Sequence, residues 1–217
     1  QQLMPDVAIL DPKMTKTLPP RITASTGMDT LCHAIEAFSC LQKNPLSDAY
    51  AAQAIELVRD YLLKAVCHGY SKEARLAMAN ASFLAGAAFS NSMVGVVHAI
   101  GHALGGVCHV AHGDAMTILL PTGMLFNRKV CKKEYAKLLL YLAGPEIYVK
   151  TPEEKRADRA VHGVLALRNR LHRLTGRPVT LREAGVDPAS FPEVAKVALN
   201  DGAVIVIPRQ VTYDAVI

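Results

Sequence analysis

The stretch VGVVHAIGHALGGVCHVAHGDA, residues 94–115, decides how this chain is read. It holds His98, His102, His109 and His112, half of the eight histidines in the sequence, among Gly, Ala, Val and Ile. Its first part predicts a helix over 93–104, which Gly105-Gly106 should end. Leu or Val would fill such a surface more cheaply, because burying several ionisable groups without partners costs several kcal/mol. The crowding therefore asks for something that the imidazoles share.

Upstream, TASTGMDTLCHAIEAFS (23–39) opens with small polar residues and Gly27, then sets Leu31, Ile35 and Phe38 at helical spacing. Asp29 and His33 are four apart on this helix and project from one face, and His98 and His102 repeat that spacing on the second helix. A single histidine on an apolar helix is more often a hydrogen-bonded core or surface residue than a ligand. A carboxylate with several imidazoles and no thiolate is instead a ligand set for a divalent transition metal such as Fe²⁺ or Zn²⁺. His112 follows the Gly-Gly break, where the chain can fold back toward the same point.

The remainder reads as helical, at about 47–67, 72–91, 114–127, 132–142, 153–174 and 189–199, with Pro121 placed to kink one of them. The 153–174 segment carries charges on one side and Val161, Leu165, Leu167, Leu171 and Leu174 on the other, the pattern of a surface helix laid on a core. At the start, Val7–Leu10 reads as one short strand, followed by a turn at Asp11-Pro12 and a stop at Pro19-Pro20. Near the end, Ala203–Ile207 is an apolar β-branched run before Pro208, and the start of a helix follows it.

Composition bounds the function. The chain has 217 residues, of which 51% are hydrophobic, enough for a sizeable core in one large domain. Its net charge of +5 is spread among Glu and Asp with no aromatic interleaving, which argues against nucleic acid as a partner. Five cysteines without CxxC spacing argue against a disulfide framework and a thiolate zinc site, and point to the cytoplasm. The apolar stretches are interrupted by Ser, Asn, His or Gly, so no membrane association is expected. Ser82 and Ser90-Asn91 lack a GxSxG elbow, and GHALGG (101–106) follows a helix without the Lys-Ser/Thr pair of a phosphate loop.

TASTGMDTLCHAIEAF (23–38) and VHAIGHALGGVCHVAHGDAMTILLP (97–121) together resemble the two hallmark segments of the iron-containing alcohol dehydrogenase family, and DVAILDPKMTKTLPP (6–20) is similar to that family's link between its halves. The resemblance implies a mainly α fold, the all-helical C-terminal half of a dehydroquinate synthase-like enzyme. Residues 1–20 would then be the linker and strand of an absent Rossmann-like nucleotide domain, and 21–217 the helical metal-binding domain. It implies Asp29, His33, His98 and His112 as metal ligands. By the same resemblance, His102 lies beside the metal facing nicotinamide and substrate, and Phe89 lines the substrate pocket. His109 matches no role. Two positions depart from the family pattern: Ile207 stands where Asn usually precedes Pro-Arg, and Ala203 stands where a cysteine is often found.

The activity so implied is hydride transfer between an alcohol or aldehyde and NAD(P), with Fe²⁺, or Zn²⁺ as the alternative, acting as a Lewis acid on the substrate oxygen. Small-molecule alcohols or aldehydes would be the substrates, and homo-oligomers the assembly. No glycine-rich dinucleotide turn follows a strand here, so the chain alone should bind metal without useful turnover. Two other readings stay open: a zinc enzyme of the glycerol dehydrogenase or dehydroquinate synthase branch, and a non-catalytic helical module with a structural metal or none.

Overall fold

The computed structural model describes residues 6–216, and among them there are helices, turns and loops but no strand. The expected strand Val7–Leu10 is irregular chain lying in solvent, with Val7 74% and Ile9 87% exposed. A strand is held by ladder hydrogen bonds to a neighbour, and no described segment supplies one. Pro19-Pro20, expected as a stop, is a start: Pro20 opens α1 (Pro20–Ser39). Proline suits that place because its fixed φ is already helical and its missing N–H would have no partner there.

Helix α1 is the centre of the molecule, with 14 of its 20 residues buried, among them Met28, Leu31, Ile35 and Phe38. A helix buried nearly all round must be wrapped by others. α2 (Pro45–Cys67) and α3 (Lys72–Ser90) pack on it and on each other. Both begin where side chains replace the missing helical acceptors. Asn44 Oδ1 accepts the Leu46 and Ser47 amides at 3.1 Å, while Ser47 Oγ accepts the Asn44 amide at 2.9 Å. Ser71 Oγ accepts the Ala74 amide at 3.3 Å.

α4 (Val96–Cys108) and α5 (His112–Asn127) form the second layer, and α5 lies against α1. Gly105-Gly106 does not end α4. Helical hydrogen bonding and packing outweigh the cost of about 1 kcal/mol per glycine, and the helix runs on until His109 adopts the left-handed conformation at φ 57°. Pro121 likewise sits inside α5 without ending it.

Around this core stand α6 (Lys132–Ala143), a short α7 (Pro145–Lys150) that the sequence pattern does not announce, α8 (Glu153–Thr175), α9 (Phe191–Leu199) and α10 (Tyr213–Val216). α8 keeps Glu153 and Glu154 in its first turn and His172 and Arg173 in its last, in line with the helix dipole, and ends at Gly176 with φ 66°. Its buried stripe is Ala157, Ala160, Val161, Val164 and Leu171, whereas Leu174 is 47% exposed, because the stripe follows the 3.6-residue period through the alanines. The apolar run Ala203–Ile207 falls largely in a 3₁₀ turn, Gly202–Val206. No helix among the described residues is long and apolar enough to cross a membrane.

Candidate metal centre

Three helices bring the site together. Asp29 and His33 come from α1, His98 from the first turn of α4, and His112 is the first residue of α5. The link 109–111 turns the chain back so that His112 faces α1. That return depends on Gly113: a Cβ there would meet Ser25 Cβ at 2.9 Å and the Ser25 backbone at 3.0 Å, so only glycine lets α5 approach α1 this closely. Asp114, the next residue, is ion-paired with Arg177 from the loop after α8, which fastens the same turn from the other side.

The donor atoms converge on one carboxylate oxygen. Asp29 Oδ1 lies 3.2 Å from His112 Nε2, 3.5 Å from His33 Nδ1 and 3.6 Å from His98 Nε2. Asp29 Oδ1 and His98 Nε2 are buried and have no hydrogen-bond partner. Buried polar atoms are nearly always paired, so two orphans 3.6 Å apart, with two further imidazole nitrogens against the same oxygen, mark a place made for another group.

The electrostatics agree. Burial alone would raise the Asp29 carboxyl, but the His112 and His98 imidazoles against it outweigh that and hold it below the usual carboxylate range. Burial and the neighbouring His98 bring His33 down to about 4, against the pull of Asp29, which leaves its imidazole neutral at neutral pH. Burial also opposes charge on His98, yet the Asp29 and Glu36 carboxylates against its two ring nitrogens outweigh it and hold that group well above its ordinary value. The pocket thus holds one positive charge among its acids, and a divalent cation with one carboxylate and three imidazoles meets the same demand.

A second trio, Cys32, Glu36 and His98, also clusters among the described residues. Burial pushes the Cys32 thiol up to about 12, so it offers no thiolate. Glu36 is saturated by four donors: the amides of Gly95, Val97 and His98 at 2.9, 2.7 and 3.3 Å, and His98 Nδ1 at 2.6 Å. This trio has no free ligand pair, and the Asp29 cluster is the better metal site.

His102 and Phe89 flank the cluster. The Phe89 ring stacks on His33 with centroids 4.5 Å apart and 22° between planes. His102 stacks over His112 at 5.5 Å and meets the edge of His98 at 5.8 Å, but its Nδ1 turns away to Asp201 Oδ2 at 2.8 Å. The shared face expected for His98 and His102 exists, yet His102 takes another partner. His109 is exposed and serves as the left-handed end of α4.

Two functional side chains escape a reading of the sequence. Glu36 follows Asp29 and His33 at helical spacing on α1, a signal that was there to be used. Asp201 sits in the turn after α9 with no local pattern to mark it, since its partner His102 is far away in sequence.

The match to known proteins is extensive. Residues 23–217 match the Fe-containing alcohol dehydrogenase family, C-terminal domain. The chain is 39% identical over 215 residues to a probable alcohol dehydrogenase, EutG, of Salmonella typhimurium, covering 99% of this chain and 51% of that protein. It is 40% identical over 198 residues to long-chain-alcohol dehydrogenase 1 of Geobacillus thermodenitrificans, covering 91% of this chain and 49% of that one. The crystal structure of a 1,3-propanediol oxidoreductase superposes with a TM-score of 0.90 at 36% identity, over 98% of this chain and 54% of that chain. The chain thus spans about half the length of the relatives it matches. Sequence, fold and length together show that the chain belongs to the iron-containing alcohol dehydrogenase family, as its helical C-terminal part.

Proposed function

We propose that this chain is the metal-holding, substrate-facing half of a metal-dependent, NAD(P)-linked alcohol dehydrogenase. Residues 1–20 would lead from the nucleotide-binding domain, and 21–217 form the helical metal domain. Asp29, His33, His98 and His112 would hold one divalent ion, Fe²⁺ in preference to Zn²⁺. The observation that carries this reading is the convergence of three imidazole nitrogens on the buried, unpartnered Asp29 Oδ1.

A metal bound there supplies a Lewis acid to an alcohol or carbonyl oxygen. The protein's own side chains do the rest. Phe89 walls one side of the cluster and, by its stacking, holds the His33 ring in place. His102 is half-exposed at the rim, and because Nδ1 is committed to Asp201, its Nε2 is the atom left to take the alcohol proton and pass it to solvent. Relatives named for 1,3-propanediol and long-chain alcohols favour a small-molecule alcohol or aldehyde as substrate.

His112 and His102 have side chains 45% and 47% exposed, so the cluster opens on one side to water. Hydride transfer needs the donor and acceptor carbons in contact in a dry site, which calls for a second surface over this opening. The chain alone therefore binds metal but gives no useful turnover. Its five unpaired cysteines suit a reducing compartment, and we place it in the cytoplasm.

The test is metal content by mass spectrometry after anaerobic loading with Fe²⁺ or Zn²⁺, for the wild-type chain and Asp29→Ala, with NAD(P)H formation assayed in parallel. One ion per wild-type chain, its loss in Asp29→Ala and no turnover are expected. Equal metal in both proteins, or robust turnover by the purified chain, contradicts the proposal.

A further inference from the structure

Glu36 is a buried carboxylate on α1 whose hydrogen bonds all go to the start of α4. That start is Gly95-Val96-Val97-His98, with Gly95 as the N-cap and no capping side chain of its own. The first amides of a helix lack internal acceptors, and the helix dipole favours a negative group beside them. Glu36 meets both needs from another helix: Oε1 accepts the Val97 amide, and Oε2 accepts those of Gly95 and His98.

The same Oε2 lies 2.6 Å from His98 Nδ1. A carboxylate already receiving three amide protons accepts from the ring as well, so Nδ1 carries hydrogen and keeps it when a metal displaces the proton from Nε2. The opposite nitrogen, Nε2, is thereby the one presented to Asp29, 3.6 Å away and without a hydrogen-bond partner. The approach of the carboxylate is also secured by sequence: a Cβ at Gly95 would meet Glu36 Oε1 at 2.8 Å and Cδ at 3.2 Å.

We propose that Glu36 is the positioning residue of the metal centre, docking the first turn of α4 on α1 and fixing His98 so that Nδ1 keeps its proton and Nε2 is the ligand atom. The inference rests on the metal-centre reading above and adds to it the residue that sets the orientation of one ligand. Outer-shell carboxylates of this kind orient ligand imidazoles, and their loss typically weakens metal binding about 10- to 100-fold.

The experiment begins with the unaltered chain. Histidine-labelled protein loaded with Zn²⁺ is examined by long-range ¹H–¹⁵N NMR, and His98 should show a protonated Nδ1 and a metallated Nε2. A metallated Nδ1 overturns the proposal. Glu36→Gln is then titrated with Zn²⁺ against a chelator and with Co²⁺ by visible absorption.

The expected result is a loss of affinity of about 10- to 100-fold with an altered Co²⁺ spectrum. A lower melting temperature with unchanged affinity and spectrum would make Glu36 a cap only, and the proposal fails. Should Glu36→Gln not fold, Gly95→Ala keeps the carboxylate and displaces it; weaker Zn²⁺ binding supports the proposal and wild-type binding refutes it. If the unaltered chain binds neither Zn²⁺ nor Co²⁺, the metal-centre reading itself fails, and this inference falls with it.

Discussion

His112 Nε2 stands 3.2 Å from Asp29 Oδ1, although the two residues belong to helices far apart in the chain. The His112 side chain is 45% exposed, so the fold does not lean on it. His112→Ala should leave the thermal stability of the metal-free chain within about 0.5 kcal/mol of wild type, as surface substitutions do. It should weaken Zn²⁺ or Fe²⁺ binding at least about tenfold, the scale on which lesser, outer-shell changes already act. Calorimetric titration and a melting curve on the same sample check both halves of this expectation.

Gly113→Ala tests the approach that makes the contact possible. The added methyl would press on Ser25, and overpacking of this kind costs about 1–3 kcal/mol. Urea unfolding should show the loss. Metal affinity should fall too, because α5 must shift and carry His112 with it.

The Asp114–Arg177 pair fastens the same turn, with side chains only 12% and 13% exposed. Removing one partner of a buried pair strands the other, at about 3–5 kcal/mol, whereas replacing both with apolar residues of similar volume is often close to neutral. Arg177→Met should therefore destabilise the chain markedly, and Asp114→Leu combined with Arg177→Met should recover most of that loss in denaturant titrations.

Asp201 gives the acid limb of the stability curve a particular shape. Burial raises its carboxyl, but the Ala203 amide and His102 outweigh it and hold it below the ordinary value. A group with a depressed folded-state pKa contributes stability that is whole above the unfolded value, about 3.9 for Asp. That contribution is lost as pH falls through the lower folded value. Asp201→Asn should reduce stability at pH 7 and flatten its decline below about pH 4. Parallel acid-limb curves for variant and wild type would contradict this.

Part of the site could be read from spacing, which pairs Asp29 with His33 and His98 with His102, whereas the place of His112 beside His98 as a metal ligand is implied by the family resemblance alone. Asp29 and His33, four apart in a helical pattern, do share a face of α1, and the segments carrying His98 and His112 do meet it. What spacing misplaced was the break: the glycines at 105 and 106 stay helical, and His109 ends α4 by going left-handed. Glycine only lowers helix propensity, and tertiary packing overrides so small a term. The Val7–Leu10 segment has strand composition but no partner, and pairing is a property of two segments. Asp201 was missed for a similar reason, since it acts on a residue that only the folded chain brings near, whereas Glu36 shows its helical spacing on α1 and only its partner His98 is hidden.

The most direct measurement is X-ray absorption at the zinc edge of the Zn²⁺-loaded chain. One ion surrounded by nitrogen and oxygen scatterers at about 2.0–2.2 Å, with imidazole multiple scattering and no sulfur, is the predicted result. A sulfur shell at about 2.3 Å would place the metal at Cys32 in the competing trio and contradict the Asp29 centre.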